Sequence, residues 1–100
     1  MRIIKTSTMG NGNIIIQYND EYALLADNTV KEITLADLPN NIKWESPKIF
    51  KLKGTNHGLI QVVELSKNIY LSNDGIILAE DSRGRFIMLH RFTFVPPERS

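Results

Sequence analysis

Short apolar runs separated by turn-forming clusters divide this chain along most of its length. The runs are about four to eight residues long, rich in isoleucine, and lack the three-to-four-residue spacing of an amphipathic helix. Between them stand clusters of glycine, asparagine, aspartate and serine, at 10–12, 27–28, 54–58, 73–75 and 82–84. Such residues favour tight turns because they tolerate positive φ angles or bond to their own backbone. The pattern predicts an all-β fold, a small antiparallel β-sandwich or partly open β-barrel built of meanders.

We place strands near 2–8, 13–18, 21–26, 29–34, 48–53, 58–65, 68–72, 76–80 and 85–94. In the fifth strand, alternation predicts that Phe50 and Leu52 point inward while its lysines point outward and protect an edge. The last strand is apolar on both faces of its first half, which predicts a central place in a sheet. Its even-numbered residues are predicted to share one face: Phe86, Met88, His90, Phe92 and Phe94.

One segment departs from this pattern. Thr34 and Asp37 have the spacing of a helix-start capping box, but Pro39 ends any helix after one turn. We therefore predict one short helical turn near 34–38 and then an irregular connection that extends to Pro47. Residues 1–95 are expected to form a single all-β domain, with 96–100 as a frayed C-terminal tail.

A weak internal echo relates the two halves of the chain at an offset of 54 residues. Asn19-Asp20 aligns with Asn73-Asp74, and Ile15 aligns with Ile69. Two interpretations are open: a duplicated meander, or hairpins that only share their turn residues, which the small number of identities favours.

Composition narrows the class of protein further. The chain has 100 residues, 42% hydrophobic and 23% charged, which are values of one globular domain. It contains no cysteine, so disulfides and thiolate chemistry are excluded and a reducing compartment fits. No apolar run has the length of a membrane span or of a signal peptide, so we expect a soluble cytoplasmic protein without a membrane partner. The net charge of +1 results from alternating acidic and basic blocks, and the sequence leaves open whether the basic blocks meet in space.

Motifs for catalysis, metals and cofactors are weak. The glycines at 10–12 continue into a strand rather than a helix, so a phosphate loop is disfavoured, and the aspartate turns lack the calcium-loop pattern. We expect no cofactor, no metal and no enzymatic activity. A small phosphodiesterase or nuclease is the third hypothesis, with His57 and His90 as the acid–base pair. Glu64 would be an alternative acid–base group, and Arg91 would be the cation that stabilises the phosphorane.

The second hypothesis is binding of single-stranded nucleic acid or a nucleotide. Small β-barrels stack bases on aromatic side chains within a basic groove, and this chain interleaves cations with aromatics. The residues predicted for this role are Arg83, Arg85, Arg91, Lys51 and Lys53. A sequence pI of about 8.0 is low for that class.

The first hypothesis is a small protein-interaction module, such as an inhibitor, an immunity protein or a phage or mobile-element protein that masks a surface of a larger partner. The lone tryptophan, Trp44, lies in the irregular connection and is the predicted anchor, because tryptophan dominates interface hot spots. Its predicted neighbours in the interface, which favour a partner with an acidic surface, are Lys43, Glu45, Lys48, Lys51 and Lys53.

Overall fold

A computed structural model describes residues 3–47, 50–56 and 58–93. In these residues the chain forms nine strands, Ile4–Thr8 (β1), Ile14–Tyr18 (β2), Glu21–Ala26 (β3), Thr29–Ile33 (β4), Phe50–Thr55 (β5), Gly58–Ser66 (β6), Ile69–Ser72 (β7), Ile76–Glu80 (β8) and Phe86–Arg91 (β9). A single 3-10 turn, Leu35–Asp37, follows β4. The all-β fold with one short helical turn is therefore confirmed.

The strands form two antiparallel sheets in which each strand pairs with its neighbour in sequence. The N-terminal sheet has the order β1-β2-β3-β4, and the C-terminal sheet has the order β5-β6-β7-β8-β9. One buried cluster draws on the inner faces of both sheets, so they pack as a sandwich. Its members are Ile14, Ile16, Tyr18, Ala23, Leu25, Ile69, Leu71, Ile77 and Phe92.

Tyr18 at the end of β2 ties the two sheets together. Its side chain is fully buried, and its ring stacks on Phe92 with centroids 5.2 Å apart. Its hydroxyl donates a hydrogen bond of 3.0 Å to the carbonyl of Asn73 in the β7–β8 turn. The same turn contains Gly75 at φ +86, and a Cβ there would lie 3.0 Å from the Tyr18 ring. Glycine at this position therefore meets both a backbone and a packing requirement.

The connection after β4 lies against the N-terminal sheet. The predicted capping box forms, because the Asp37 carboxylate accepts from the backbone N–H and the hydroxyl of Thr34. The backbone hydrogen bond from Thr34, followed by the one from its hydroxyl, lowers the pKa of Asp37. Further on, Glu45 exchanges two backbone hydrogen bonds with Thr6 of β1, at 2.8 and 2.9 Å. Residue Glu45 of the connection thus pairs with the free edge of β1.

The last strand differs from its prediction in two ways. It is an edge strand, and Ile87 and Met88 are 57% and 58% exposed on opposite faces. A β-bulge also shifts its register, because Leu78 pairs with Met88 whereas the preceding Ile77 pairs with His90. An extra residue in a strand reverses which side chains face the core. Phe86 and Met88 consequently lie on the outer face, and the predicted single face that joined them to His90 and Phe92 is wrong.

The faces of β5 are as predicted, but its inward-pointing apolar side chains are less buried than expected. Phe50 is 50% exposed and Leu52 is 68% exposed, whereas the Lys53 side chain is only 27% exposed. Phe50 and Leu52 do lie on the inner side, since Phe50 pairs with the buried Val63. Their exposure shows that this end of the sheet is incompletely covered.

The echo at 54 residues does not place every matching pair in matching environments. Ile15 lies on the outer face of β2, between the core residues on either side of it, while Ile69 lies in the core between the sheets. The β2–β3 turn has two residues and the β7–β8 turn has three, so the offset changes at Gly75. This mismatch favours shared turn residues over a duplicated meander.

Some sequence predictions lie outside the described residues, namely those on Lys48, His57, Phe94 and the tail 96–100. Within the described part of the chain, no helix is long and apolar enough to cross a membrane.

Candidate binding groove on the C-terminal sheet

The outer face of the C-terminal sheet contains a groove of about 630 Å³, within the size range of ligand-binding clefts. The β5–β6 hairpin borders it on one side and β8 and β9 border it on the other, so the sheet is concave on this face. Strand alternation sends apolar side chains from three strands into it. These are Ile60 of β6, Ile76 and Leu78 of β8, and Phe86 and Met88 of β9.

A polar cluster lies beside this apolar floor. Lys53 on β5 forms an ion pair with Glu80 on β8, with Nζ 3.2 Å from Oε1. Strands β6 and β7 lie between β5 and β8, so in a flat sheet the backbones of β5 and β8 would be about 14 Å apart. Glu80 also accepts from the hydroxyl of the buried Tyr70, at 3.4 Å. The Lys53 ammonium lies 4.9 Å from the centroid of the Tyr70 ring. These three side chains brace the curved sheet across β6 and β7.

The Glu80 carboxylate affects the protonation of Lys53. Its hydrogen bond to the ammonium raises the pKa of Lys53 above the usual 10.5. Lys53 is therefore a cation throughout the physiological range, with its charge matched by Glu80.

Arg85 and the turn that precedes it form the rim near β9. One Asp81 oxygen accepts from the backbone N–H groups of Arg83 and Arg85, at 2.9 and 2.8 Å. The other lies 3.7 Å from Nε of Arg85, whose side chain is 66% exposed. Asp81 thus shapes the turn, and it leaves most of the Arg85 guanidinium in solvent at the groove's edge.

The structure places part of each basic block on the same face of the C-terminal sheet. Lys51 and Lys53 project from β5 on the groove side, Arg85 lines the groove, and Arg91 is paired with Ile76, a groove residue. Arg83 is exposed in the adjoining turn. Carboxylates accompany three of these cations, since Lys51 also pairs with Glu64 at 3.1 Å. The face is therefore mixed in charge rather than strongly basic.

The residues predicted for a protein interface lie on two different surfaces. The Trp44 side chain is half-buried, and its ring packs against Tyr22 on the outer face of the N-terminal sheet, with centroids 6.1 Å apart. Lys43 and Glu45 are its exposed neighbours in the chain. Lys51 and Lys53 project from the other sheet, and the structure does not bring them together with Trp44.

His90 lies on the inner side of β9. Its ring packs edge-to-face on the buried Phe92, with centroids 4.8 Å apart, and its Nε2 is buried without a hydrogen-bond partner among the described residues. Within those residues, no group of three histidine, aspartate or glutamate side chains is arranged to hold a metal ion.

Sequence reasoning missed the apolar floor of the groove. Leu78 and Met88 were assigned to strands but not to a site, because an apolar residue in a strand is most often part of the core. A signal was present: Arg85 and Arg91 bracket an apolar run, which is unusual for a strand buried on both faces.

No protein-family model, no curated protein and no solved structure matches this chain.

Proposed function

We propose that this chain is a non-enzymatic protein-interaction module that binds a larger partner through the groove of the C-terminal sheet, masking a surface of that partner. The observation that carries the proposal is the groove itself. Its apolar floor offers area for desolvation, and its rim offers Arg85 and a braced ion pair for orientation.

The surface has the composition that protein interfaces use. Aromatic residues, methionine and arginine are enriched at interface centres, and the groove contains Phe86, Met88 and Arg85. Met88 is 58% exposed, which is high for a large apolar side chain in a strand. The brace formed by Lys53 and Glu80 limits the ordering that binding would otherwise require.

Affinity capture with tagged protein tests the proposal. Wild type, Met88→Lys and Leu59→Lys are each used to capture partners from a lysate of the producing cells, treated with nuclease at moderate salt. Leu59 is the matched control, because it is 72% exposed on the opposite face of the same sheet. We expect wild type and Leu59→Lys to retain a stoichiometric protein band, and Met88→Lys to lose it. A band that Met88→Lys retains, or a band absent from the wild-type capture, would contradict the proposal.

Binding of single-stranded nucleic acid is the second candidate, and one observation favours it. Lys51, Lys53, Arg85 and Arg91 share the groove side of the sheet with the Phe86 ring. It ranks second because Glu64, Glu80 and Asp81 accompany three of the cations in the region.

Salt dependence separates the two candidates. Four phosphate contacts to a single strand would lower affinity about 50-fold between 50 and 200 mM salt. Fluorescence anisotropy with a labelled oligothymidylate measures this directly, and Arg85→Ala should reduce the slope by about 0.7 if the contact exists. Absence of binding at 50 mM salt would eliminate this candidate.

A further inference from the structure

The four sheet edges of the sandwich differ in how they are protected. An exposed edge carries unpaired backbone groups, and natural proteins cover such an edge or place charges on it. Glu45 pairs with Thr6 on β1, β4 carries Lys31 and Glu32, and β5 carries the two lysines described above. In contrast, β9 has no charged residue from Phe86 to His90.

The middle of β9 is accessible on both faces. Ile87 is 57% exposed on the inner side and Met88 is 58% exposed on the groove side. Strand β4 approaches β9 at this corner of the sandwich, but the two strands are not paired. An incoming strand could therefore pair with β9 and contact Ile87 with one set of side chains and Met88 with the other.

Arginines mark both ends of this edge. Arg85 precedes the strand and Arg91 ends it, both on the groove side and six residues apart, or about 20 Å in an extended chain. A second copy of β9 paired antiparallel about Met88 would set Arg85 opposite Arg91 at each end, and like charges placed opposite each other are destabilising. A partner with carboxylates at these positions is complementary, so the charges favour a different chain over self-pairing.

We propose that β9 accepts an extended segment of the partner protein as an added antiparallel strand, with an apolar centre of about five residues and a carboxylate at each end. The proposal rests on the proposed function, because it specifies how the partner reaches the groove. Alternate side chains of the added strand would cover Met88 and the groove, while the others would cover Ile87.

A displayed library of random nine-residue peptides, selected on the folded protein, supplies the probe. We expect the enriched peptides to place acidic residues on both sides of an apolar run. Their affinities, measured by fluorescence anisotropy, should fall at least tenfold for Met88→Lys and for Ile87→Lys. Leu59 is an exposed apolar residue outside this edge, so Leu59→Lys should change the peptide affinities less than twofold. A second copy as occupant would instead appear as a dimer that Met88→Lys dissociates, and would overturn the proposal.

Backbone methylation and charge reversal test the strand geometry. An added strand uses every second N–H, so N-methylation of one alternating set of peptide amides should abolish binding and methylation of the other set should be tolerated. The protein with Arg85→Glu and Arg91→Glu should prefer a lysine-ended counterpart of each selected peptide.

Failure of this inference differs from failure of the proposed function. Peptides that lose affinity for Met88→Lys but are insensitive to Ile87→Lys and to both methylation patterns would overturn strand addition and leave groove binding in place. If no peptide is enriched, or if enriched peptides bind Met88→Lys as tightly as wild type, strand addition is also overturned. The capture experiment then decides groove binding by itself.

Discussion

Replacing Gly75 by alanine tests the contact that ties the two sheets together. Gly75 has φ +86, a conformation that costs an L-residue about 1–2 kcal/mol. The added Cβ would lie 3.0 Å from two carbons of the Tyr18 ring, and overpacking of this kind costs about 1–3 kcal/mol. The ring cannot move away without loss, because it stacks on Phe92 and its hydroxyl is bonded to Asn73. We expect Gly75→Ala to lower the free energy of unfolding by about 2–5 kcal/mol.

Gly84→Ala is the matched control for the backbone effect. Gly84 has φ +78, but the nearest atom to its added Cβ is 4.0 Å away. Its variant should therefore lose only the backbone contribution, about 1–2 kcal/mol. Urea unfolding followed by circular dichroism measures both variants, and with a slope of about 1 kcal/mol per M the midpoints should differ by about 1–3 M.

A second background isolates the contact with the ring. In a protein that already carries Tyr18→Leu, the space for the new Cβ exists, so the effect of Gly75→Ala should fall to that of Gly84→Ala. The reasoning would be refuted if Gly75→Ala and Gly84→Ala were equally destabilising, or if the Tyr18→Leu background left the effect of Gly75→Ala unchanged.

Three further predictions concern the connection and the groove. Asp37→Asn should lower the urea midpoint at pH 7, because the lowered pKa of Asp37 stabilises the fold above pH 3.8. This stabilisation is lost as the pH falls through the pKa of Asp37 in the folded state, so the urea midpoints of the two proteins should converge in acid. The raised pKa of Lys53 stabilises the fold below pH 10.5, and this stabilisation is lost as the pH rises through the pKa of Lys53 in the folded state. Carbon NMR of the side chain should show the raised pKa, and Glu80→Gln should bring it back toward 10.5. Trp44→Ala should lower the free energy of unfolding by about 2 kcal/mol because its half-buried ring packs on Tyr22; an unchanged urea midpoint would instead favour the predicted interface role.

The strand positions were predictable because the local sequence determines the turns. Asn19, Asp27 and Asn68 adopt positive φ angles, and each stands between two strands. These residues mark where the chain reverses regardless of what lies above or below the sheet. The order of strands within each sheet follows, because consecutive hairpins leave few other arrangements.

The faces of the strands were less predictable, and β5 and β9 show why. Leu52 alternates with lysines, and alternation identifies the apolar face of a strand but not whether a second sheet extends far enough to cover it. In β9, the extra residue Leu89 resembles its apolar neighbours, so no turn signal marks the bulge. The groove depends on the second feature, because its floor includes Met88, which precedes the bulge and lies on the outer face.

The pairing of each strand with its neighbour in sequence has a consequence for how the protein folds. All ladder contacts within a sheet connect segments close along the chain, and such contacts form quickly because little loop-closure entropy opposes them. Each meander can therefore assemble from its own half, and docking of the two halves is the event that requires distant residues. The hydrogen bond from Tyr18 to Asn73 forms when the two halves dock. Substitutions there should act mainly on the rate at which the sandwich opens, while substitutions in the hairpins should act on the rate at which it forms.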